Sequence, residues 1–130
     1  MTPAPALAAP TILVIEDSSD TRELLSVLLH QQGYKVVQAA SGLEGLLKAS
    51  GTSPDLILMD LTLPEMDGIE AARNIHDTPG LSHIPIFVVS AYLDSEIEAE
   101  VRAAGCVEMF GKPFDFECLL ETISITLGER

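Results

Sequence analysis

The sequence has little of what nucleic-acid-binding, membrane-spanning and secreted proteins need. Its 130 residues include no Trp, 5% aromatic residues, and 7 Lys and Arg against 20 Asp and Glu, a net charge of −13. This charge argues against direct nucleic-acid binding, which relies on cations that neutralise phosphates. It suits a bound cation or a basic partner, although solubility alone would also explain it. No apolar run reaches the ~20 residues of a membrane span, and no signal peptide is recognisable. We therefore expect a soluble, cytoplasmic protein with no membrane partner.

Cysteine and histidine are also sparse and form no metal-ligand pattern. Cys106 and Cys118 lack ligand spacing, and a reducing cytoplasm would leave both as free thiols. We expect both to be small buried side chains. His30, His76 and His83 are scattered along the chain, and we assign them no role.

The composition and length predict one compact α/β domain. Apolar residues make up 47% of the chain, which is long enough for a full hydrophobic core. The first ten residues, MTPAPALAAP, are typical of an extended, mobile Pro/Ala tail. We therefore place a tail at residues 1–10 and the domain at residues 11–128.

Five short apolar segments, each followed by a helical pattern, set the fold class. The predicted strands are residues 11–15, 34–39, 56–59, 85–90 and 106–110. The second carries Lys35 and Gln38 and is better placed at a sheet edge. Alternation of strand and helix predicts a five-stranded parallel sheet, doubly wound, with right-handed crossovers and helices on both faces.

The five predicted helices have recognisable starts, ends and apolar faces. Capping-box patterns start the second and fourth helices, at Ser41 with Glu44 and at Ser95 with Glu98. Gly33 and Gly105 end the first and fourth helices, and the second stops near Gly51. The predicted inward residues are Leu24, Leu25, Leu28 and Leu29; Leu43, Leu46 and Leu47; Ile69, Ala72 and Ile75; and Phe116, Leu119, Leu120, Ile123 and Leu127.

The stretch from residue 54 to residue 68, PDLILMDLTLPEMDG, organises the rest of the chain. A buried strand ends on Asp60, and the chain then turns at Pro64 and Gly68. An Asp in this position often caps the next helix, but the Leu-Thr-Leu-Pro that follows cannot start a helix at once. We therefore favour a nucleophile or a metal ligand at Asp60.

Polar residues end several of the predicted strands. Glu16 and Asp17 follow the first strand, Asp60 the third, Ser90 the fourth and Lys112 the fifth. In an open parallel sheet, ligands bind outside the carboxyl ends of the strands. We therefore expect these five side chains to face one crevice, although each alone could be a cap or a solvated loop residue.

The chemistry of this set predicts Mg²⁺-dependent phosphorylation of Asp60. Neighbouring carboxylates repel one another by about 1 to 4 kcal/mol per pair at a surface-like dielectric, and a hard divalent cation would relieve the repulsion. Lys112 and Ser90 supply a positive charge and a hydroxyl donor for a phosphoryl group. An Asp can form an acyl phosphate as a covalent nucleophile.

These residues resemble the receiver domain of two-component response regulators, in the CheY-like superfamily. The resemblance covers residues 11–127 through the motifs ILVIED, DLILMDLTLPEMDG, PIFVVSA and GCVEMFGKPF, of which the second and fourth together are highly specific. It implies a flavodoxin-like, three-layer fold with strand order 2-1-3-4-5. It also implies that the protein is a signalling switch and not an enzyme, apart from catalysing its own phosphorylation and dephosphorylation.

The resemblance further implies a role for each site residue. Asp60 would accept a phosphoryl group from a phosphohistidine on a sensor histidine kinase or a histidine phosphotransfer protein. Asp17 and Asp60 would bind Mg²⁺ directly, together with the backbone carbonyl of Thr62, and Glu16 would act through water. Ser90 would hydrogen-bond one phosphoryl oxygen and Lys112 would pair with another. The Lys112–Pro113 peptide bond would be cis.

One position departs from the family pattern. The switch residue three positions before Lys112 is usually Tyr or Phe and here is Met109, which can fill the space without a ring. Phe110 is a poor substitute because it points to the opposite face of the strand. Thr62 and Tyr92 are candidates for tuning the dephosphorylation rate, which alanine substitution of either would then change.

Three alternatives stay open. An aspartate-nucleophile phosphatase would generally need a second Asp two residues after the first, where this chain has Thr62. A pseudo-receiver would bind partners without phosphorylation. A flavodoxin-like cofactor binder would need a phosphate loop after strand one, where this chain has acids.

The output partner is unknown, and the chain could be a stand-alone receiver or a piece of a longer protein. The family usually docks partners on the face of helix 4, strand 5 and helix 5. Here helix 4 carries Asp94, Glu96, Glu98 and Glu100, which suit either a basic partner or plain solvation.

Overall fold

A computed structural model describes residues 9–61, 68–91 and 94–128, in which five strands alternate with five helices. The strands are β1 (Thr11–Ile15), β2 (Lys35–Ala39), β3 (Leu56–Asp60), β4 (Ile86–Ser90) and β5 (Glu108–Gly111). The helices are α1 (Ser19–Gln31), α2 (Gly42–Thr52), α3 (Gly68–Asp77), α4 (Ser95–Ala103) and α5 (Phe116–Thr126). Three strands begin later than predicted, because residues 34, 85 and 106–107 precede β2, β4 and β5, and β5 runs on to Gly111. The predicted tail at residues 1–10 lies outside the described residues except for its last two.

The strands form one parallel sheet in the order β2-β1-β3-β4-β5, which confirms the doubly wound fold. β2 lies at an edge, as its polar residues indicated. Ile15 is in register with both Ala39 and Met59, and Asp60 is in register with Val89. The carboxyl ends of neighbouring strands are therefore level, and the loops that follow them meet along one edge of the sheet.

Two apolar layers cover the two faces of the sheet. Alternate residues of β1 and β3, such as Leu13 and Ile57, face the buried side chains of α2, α3 and α4. The residues between them, such as Ile12 and Leu58, face α1 and α5. Because β3 and β4 are buried at every position, they read as continuous apolar runs instead of alternating ones.

The predicted leucine faces of α1 and α2 are wrong in part. Leu24 on α1 is 57% exposed, and Leu43 and Leu47 on α2 are 50% and 65% exposed. On α2 the buried residues are small, and a Cβ on Gly45 would lie 2.8 Å from Ile15 Cγ1. The helix therefore approaches the sheet through small residues, and this turns two leucines outward.

The predicted capping box at Ser41 is confirmed for its serine, whereas the Glu44 side chain accepts from the Ala40 N–H, one residue before the N-cap, at 2.7 Å. Ser41 Oγ accepts a hydrogen bond from the Glu44 N–H at 3.1 Å, at the start of α2. The N-cap of α4 is Asp94 and not Ser95, because Asp94 Oδ1 accepts from the Ile97 N–H at 2.8 Å. Asp and Ser are both good N-caps, and here the residue one position earlier fills that role.

The predicted ends of α1 and α4 and the apolar faces of α3 and α5 are confirmed, whereas α2 runs one residue past Gly51 and Ser53, with φ of 49°, takes the left-handed position after it. Gly33 and Gly105 follow α1 and α4 with φ of 98° and 100°, the left-handed conformation that favours glycine. The predicted faces of α3 and α5 pack against the core. Among the described residues, no helix has the length and apolar character needed to cross a membrane.

The prediction for the two cysteines holds for one of them. Cys106 is buried, and burial raises the pKa of its thiol to about 12. Cys118 is exposed, against expectation. It lies beside Leu119 on α5 but off the stripe of residues that this helix buries.

Candidate functional site

The end of β1 supplies two acids with different surroundings. Glu16 is 3% exposed, and its backbone N–H donates to the Ala39 carbonyl on β2 at 3.0 Å. Its Oε2 accepts from the Ser18 N–H at 3.2 Å. Asp17 is exposed. One acid is therefore fixed inside the crevice, and the other is open to solvent at its mouth.

The end of β3 places Asp60 beside the lysine that follows β5. Asp60 is 4% exposed, and its Oδ2 accepts a hydrogen bond from Lys112 Nζ at 3.1 Å. The same Nζ lies 3.5 Å from Glu16 Oε1. The Lys112 N–H donates to the Ser90 carbonyl at 2.8 Å, and the Lys112–Pro113 bond is cis as expected. One ammonium group thus faces two buried carboxylates.

The three acids form the cluster that the sequence indicated. Oxygens of Glu16, Asp17 and Asp60 lie within 4.8 Å of one another. Ser90 is buried at the end of β4, next to the end of β3. The structure therefore brings the five predicted residues to the carboxyl edge of the sheet. Glu16 and Asp17 follow β1, Asp60 and Ser90 end β3 and β4, and Lys112 follows β5.

The electrostatics of the cluster favour a positive charge within it. Burial, with the nearby charge of Asp60, raises the pKa of Glu16 to about 7, against the opposing effects of the Ser18 N–H and Lys112. Burial alone would lower the pKa of Lys112, but the hydrogen bond and charge of Asp60, together with Glu16, outweigh it and raise the pKa. Lys112 is therefore charged at neutral pH. Glu16, with a pKa of about 7, is then close to half protonated.

The donor set fits a hard divalent cation. Glu16 Oε1 is buried and has no hydrogen-bond partner among the described residues, and the nearest cation to it there is Lys112 Nζ, at 3.5 Å. Asp60 offers a second buried carboxylate and Asp17 an exposed one. Oxygen-only ligands with one side open to water match the coordination of Mg²⁺. Glu16, Asp17 and Asp60 are thus the residues that would hold the ion.

The predicted switch residues lie partly inside the described chain. Met109 is half-buried against the layer of α2, α3 and α4, and is in register with Val88. Phe110 packs in the opposite layer, with its ring 5.8 Å from that of Phe87, so it does point away from Met109 as predicted. Thr62 and Tyr92 lie outside the described residues.

Two residues that contact the site were not identified from the sequence. Ser18 holds the Glu16 carboxylate through its N–H, and Arg22 Nη1 donates to the Glu16 carbonyl at 2.9 Å. The spacing of four between them is an ordinary helical spacing and points to no particular site. The contact with Glu16 becomes visible only when the loop after β1 is folded.

Comparisons with known proteins agree with this geometry. The response regulator receiver domain matches residues 12–124. The polar-differentiation response regulator DivK of Brucella ovis is 35% identical over 119 residues, which cover 92% of this chain and 97% of DivK. The chemotaxis protein CheY4 of Vibrio cholerae superposes with a TM-score of 0.87 at 31% identity, covering 92% of this chain and 99% of CheY4.

A third similar protein carries a metal in its described structure. The receiver domain of sensor histidine kinase PA1611 from Pseudomonas aeruginosa superposes with a TM-score of 0.85 at 28% identity. The match covers 94% of this chain and 100% of that domain, whose structure has a magnesium ion coordinated in the active site cleft. On the family match, the fold and these relatives, the chain belongs to the response regulator receiver domains, the signalling switches of two-component systems.

Proposed function

We propose that this chain is a Mg²⁺-dependent switch that accepts a phosphoryl group on Asp60 and then changes its partner-binding surface. The donor is a phosphohistidine on a sensor histidine kinase or a histidine phosphotransfer protein. The observation that carries the proposal is the buried carboxylate of Asp60, paired with Lys112 Nζ at 3.1 Å and clustered with Glu16 and Asp17. The magnesium site in the PA1611 receiver domain supports the choice of metal.

The residues divide the chemistry among them. An Asp60 oxygen attacks phosphorus, the phosphorus–nitrogen bond of the donor breaks, and its electron pair returns to the imidazole. Lys112, which already pairs with Asp60, then pairs with a phosphoryl oxygen. Ser90 donates its hydroxyl to another. Mg²⁺ held by the acids, with the Thr62 carbonyl as a further ligand, would neutralise charge on the phosphoryl oxygens.

An apolar groove beside Lys112 could receive the phosphoryl donor. A groove of about 330 Å³ runs between α1 and the segment after β5, lined by Leu24, Leu28, Lys112, Phe114 and Phe116 among others. Leu24 is 57% exposed there. An apolar surface next to the acceptor would let a donor bind while its phosphohistidine reaches Asp60.

The output surface proposed here is the face of α4, β5 and α5. Asp94, Glu96, Glu98 and Glu100 are exposed on and before α4, so a basic downstream partner would complement it. Met109 on β5 packs beneath this face and takes the place of the usual aromatic switch residue.

Amide NMR spectra of the parent, of Asp60→Asn and of the exposed control Asp77→Asn test the proposal. Mg²⁺ should shift the resonances of residues 16–18, 60–61 and 111–112 in the parent and the control. Beryllofluoride, a phosphoryl mimic, should then shift those of residue 90 and α4. A parent without a beryllofluoride response would favour a pseudo-receiver, and an equal response in Asp60→Asn would contradict Asp60 as the acceptor.

A further inference from the structure

We propose that Arg22 is a positioning residue that aims the acids Glu16 and Asp17 at the metal through the Glu16 carbonyl. The inference rests on the proposed Mg²⁺-dependent function. Arg22 belongs neither to the metal cluster nor to the residues that contact the phosphoryl group. Arg22 lies in the first turns of α1 and is half-buried.

Helix α1 holds Glu16 at two points. The Ser18 N–H binds the Glu16 carboxylate at 3.2 Å, and Arg22 Nη1 binds the Glu16 carbonyl at 2.9 Å. Ser18 and Arg22 are themselves joined, since the Arg22 N–H donates to the Ser18 carbonyl at 2.8 Å. The side chain and the backbone of Glu16 are therefore fixed to the same helical turn.

The carbonyl contact also sets the direction of Asp17. The peptide unit between Glu16 and Asp17 is planar, so fixing the Glu16 oxygen fixes the plane in which the Asp17 nitrogen and Cα lie. Asp17 is exposed, and among the described residues its side chain accepts no hydrogen bond. The direction of the Asp17 carboxylate therefore depends on the conformation of its backbone.

Residues of β2 and α2 hold the guanidinium in place. Arg22 Nε donates to Gln38 Oε1 at 3.2 Å, and the Gln38 carbonyl accepts from Lys48 Nζ at 2.6 Å. Lys48 pairs with Glu44 at 3.0 Å. Two nitrogens of one planar group therefore bridge the loop after β1 to the neighbouring strand, which a single ammonium group does not reproduce.

The contact acts through geometry and not through charge on the carboxylate. The pKa of Glu16 responds to burial, Asp60, Ser18 and Lys112, and Arg22 is directed at the backbone oxygen instead. Outer groups that orient metal ligands typically change metal affinity by about 10- to 100-fold when they are lost.

The test compares Arg22→Met, Arg22→Lys and the control Arg73→Met, an exposed arginine on α3. Calorimetry of Mg²⁺ binding should show about tenfold weaker affinity for Arg22→Met, partial recovery for Arg22→Lys, and no change for the control. In metal-free protein, the Ser18 amide hydrogen should exchange faster in Arg22→Met alone. If Arg22→Met does not fold, Gln38→Leu should weaken Mg²⁺ binding by a smaller factor in the same direction.

The outcomes separate this inference from the proposed function. If the parent binds Mg²⁺ and Asp60 is phosphorylated, but Arg22→Met keeps parental affinity and Ser18 protection, the positioning role is overturned. The same holds if Arg22→Met only lowers the melting temperature, because a purely structural residue would do that. If the parent itself neither binds Mg²⁺ nor accepts a phosphoryl group, the proposed function fails first and the positioning role fails with it.

Discussion

At the scale of single residues, Glu16 is the clearest source of pH dependence. Its pKa is about 7 in the folded protein against 4.5 for an ordinary Glu, mainly because the carboxylate is buried and lies near Asp60. The folded state therefore holds a proton on this group more tightly than the unfolded state does. Stability from this group is full below about pH 4.5 and is lost as pH rises through 7.

We predict that the unfolding free energy of the metal-free parent falls as the pH is raised from 5 to 8. This fall should be larger than that of Glu16→Gln by roughly 2 to 3 kcal/mol. Denaturant unfolding of both proteins at several pH values measures the difference, and subtraction removes the contributions of the other acids. Saturating Mg²⁺ should shrink it, because a cation favours the ionised carboxylate. Equal slopes for parent and variant would show that Glu16 titrates normally.

At the scale of elements, the close approach of α2 to the sheet gives a prediction of unusual sign. Ala is normally favoured over Gly in a helix by about 1 kcal/mol. At position 45, however, a Cβ would collide with the buried Ile15 side chain, whereas at position 51 nothing lies within 4 Å. We expect Gly45→Ala to destabilise the protein by about 1 to 2 kcal/mol and Gly51→Ala to stabilise it by about 0.5 to 1 kcal/mol.

Chemical denaturation of the two glycine variants checks this contrast on one helix. Adding Ile15→Val to Gly45→Ala should recover part of the loss, because Val removes the methyl group nearest the new Cβ. A Gly45→Ala protein as stable as Gly51→Ala would mean that α2 lies farther from β1.

The start of α4 gives a second prediction at this scale. Asp94 caps the helix by accepting from the Ile97 N–H, whereas Ser95 is the first helical residue. Asp94→Ala should therefore cost about 1 kcal/mol of unfolding free energy, and Ser95→Ala should cost much less. Thermal unfolding of the two variants measures this, and the reverse order would restore Ser95 as the cap.

The ends of the strands could be predicted from the sequence, but the orientation of some helix side chains could not. Strand ends could be read because buried parallel strands are continuous apolar runs and their carboxyl ends meet, which located Glu16, Asp60 and Lys112. The outward turn of Leu43 and Leu47 could not be read, because it depends on how closely α2 approaches Ile15.

Contacts made across the fold were also out of reach. The expected strand order placed β2 beside β1, but it did not show that Arg22 would bridge Glu16 to Gln38, because that depends on where the first turns of α1 lie over the two strands. Cys118 was misjudged for a different reason, since it lies off the apolar face predicted for α5 and only the general tendency of cysteine to be buried suggested otherwise. Asp94 and Ser95 compete as caps on equal chemical terms, so only the backbone conformation decides between them.

At the scale of the whole molecule, the sheet brings together residues that are up to 96 positions apart, from Glu16 to Lys112. The net charge of −13 adds general repulsion to this local cluster. Bound magnesium would therefore reduce both the repulsion among the clustered acids and the general repulsion within the molecule. We infer that this relief prepares Asp60 to accept a phosphoryl group.

Intact-protein mass spectrometry after incubation with acetyl phosphate tests that claim most directly. The parent and Asp60→Asn are each incubated with and without Mg²⁺ and quenched in acid. We expect a single phosphoryl adduct on the parent only, and only with Mg²⁺. An adduct that persists in Asp60→Asn would contradict the role of Asp60, and so would a parent that neither forms the adduct nor binds beryllofluoride in the presence of Mg²⁺.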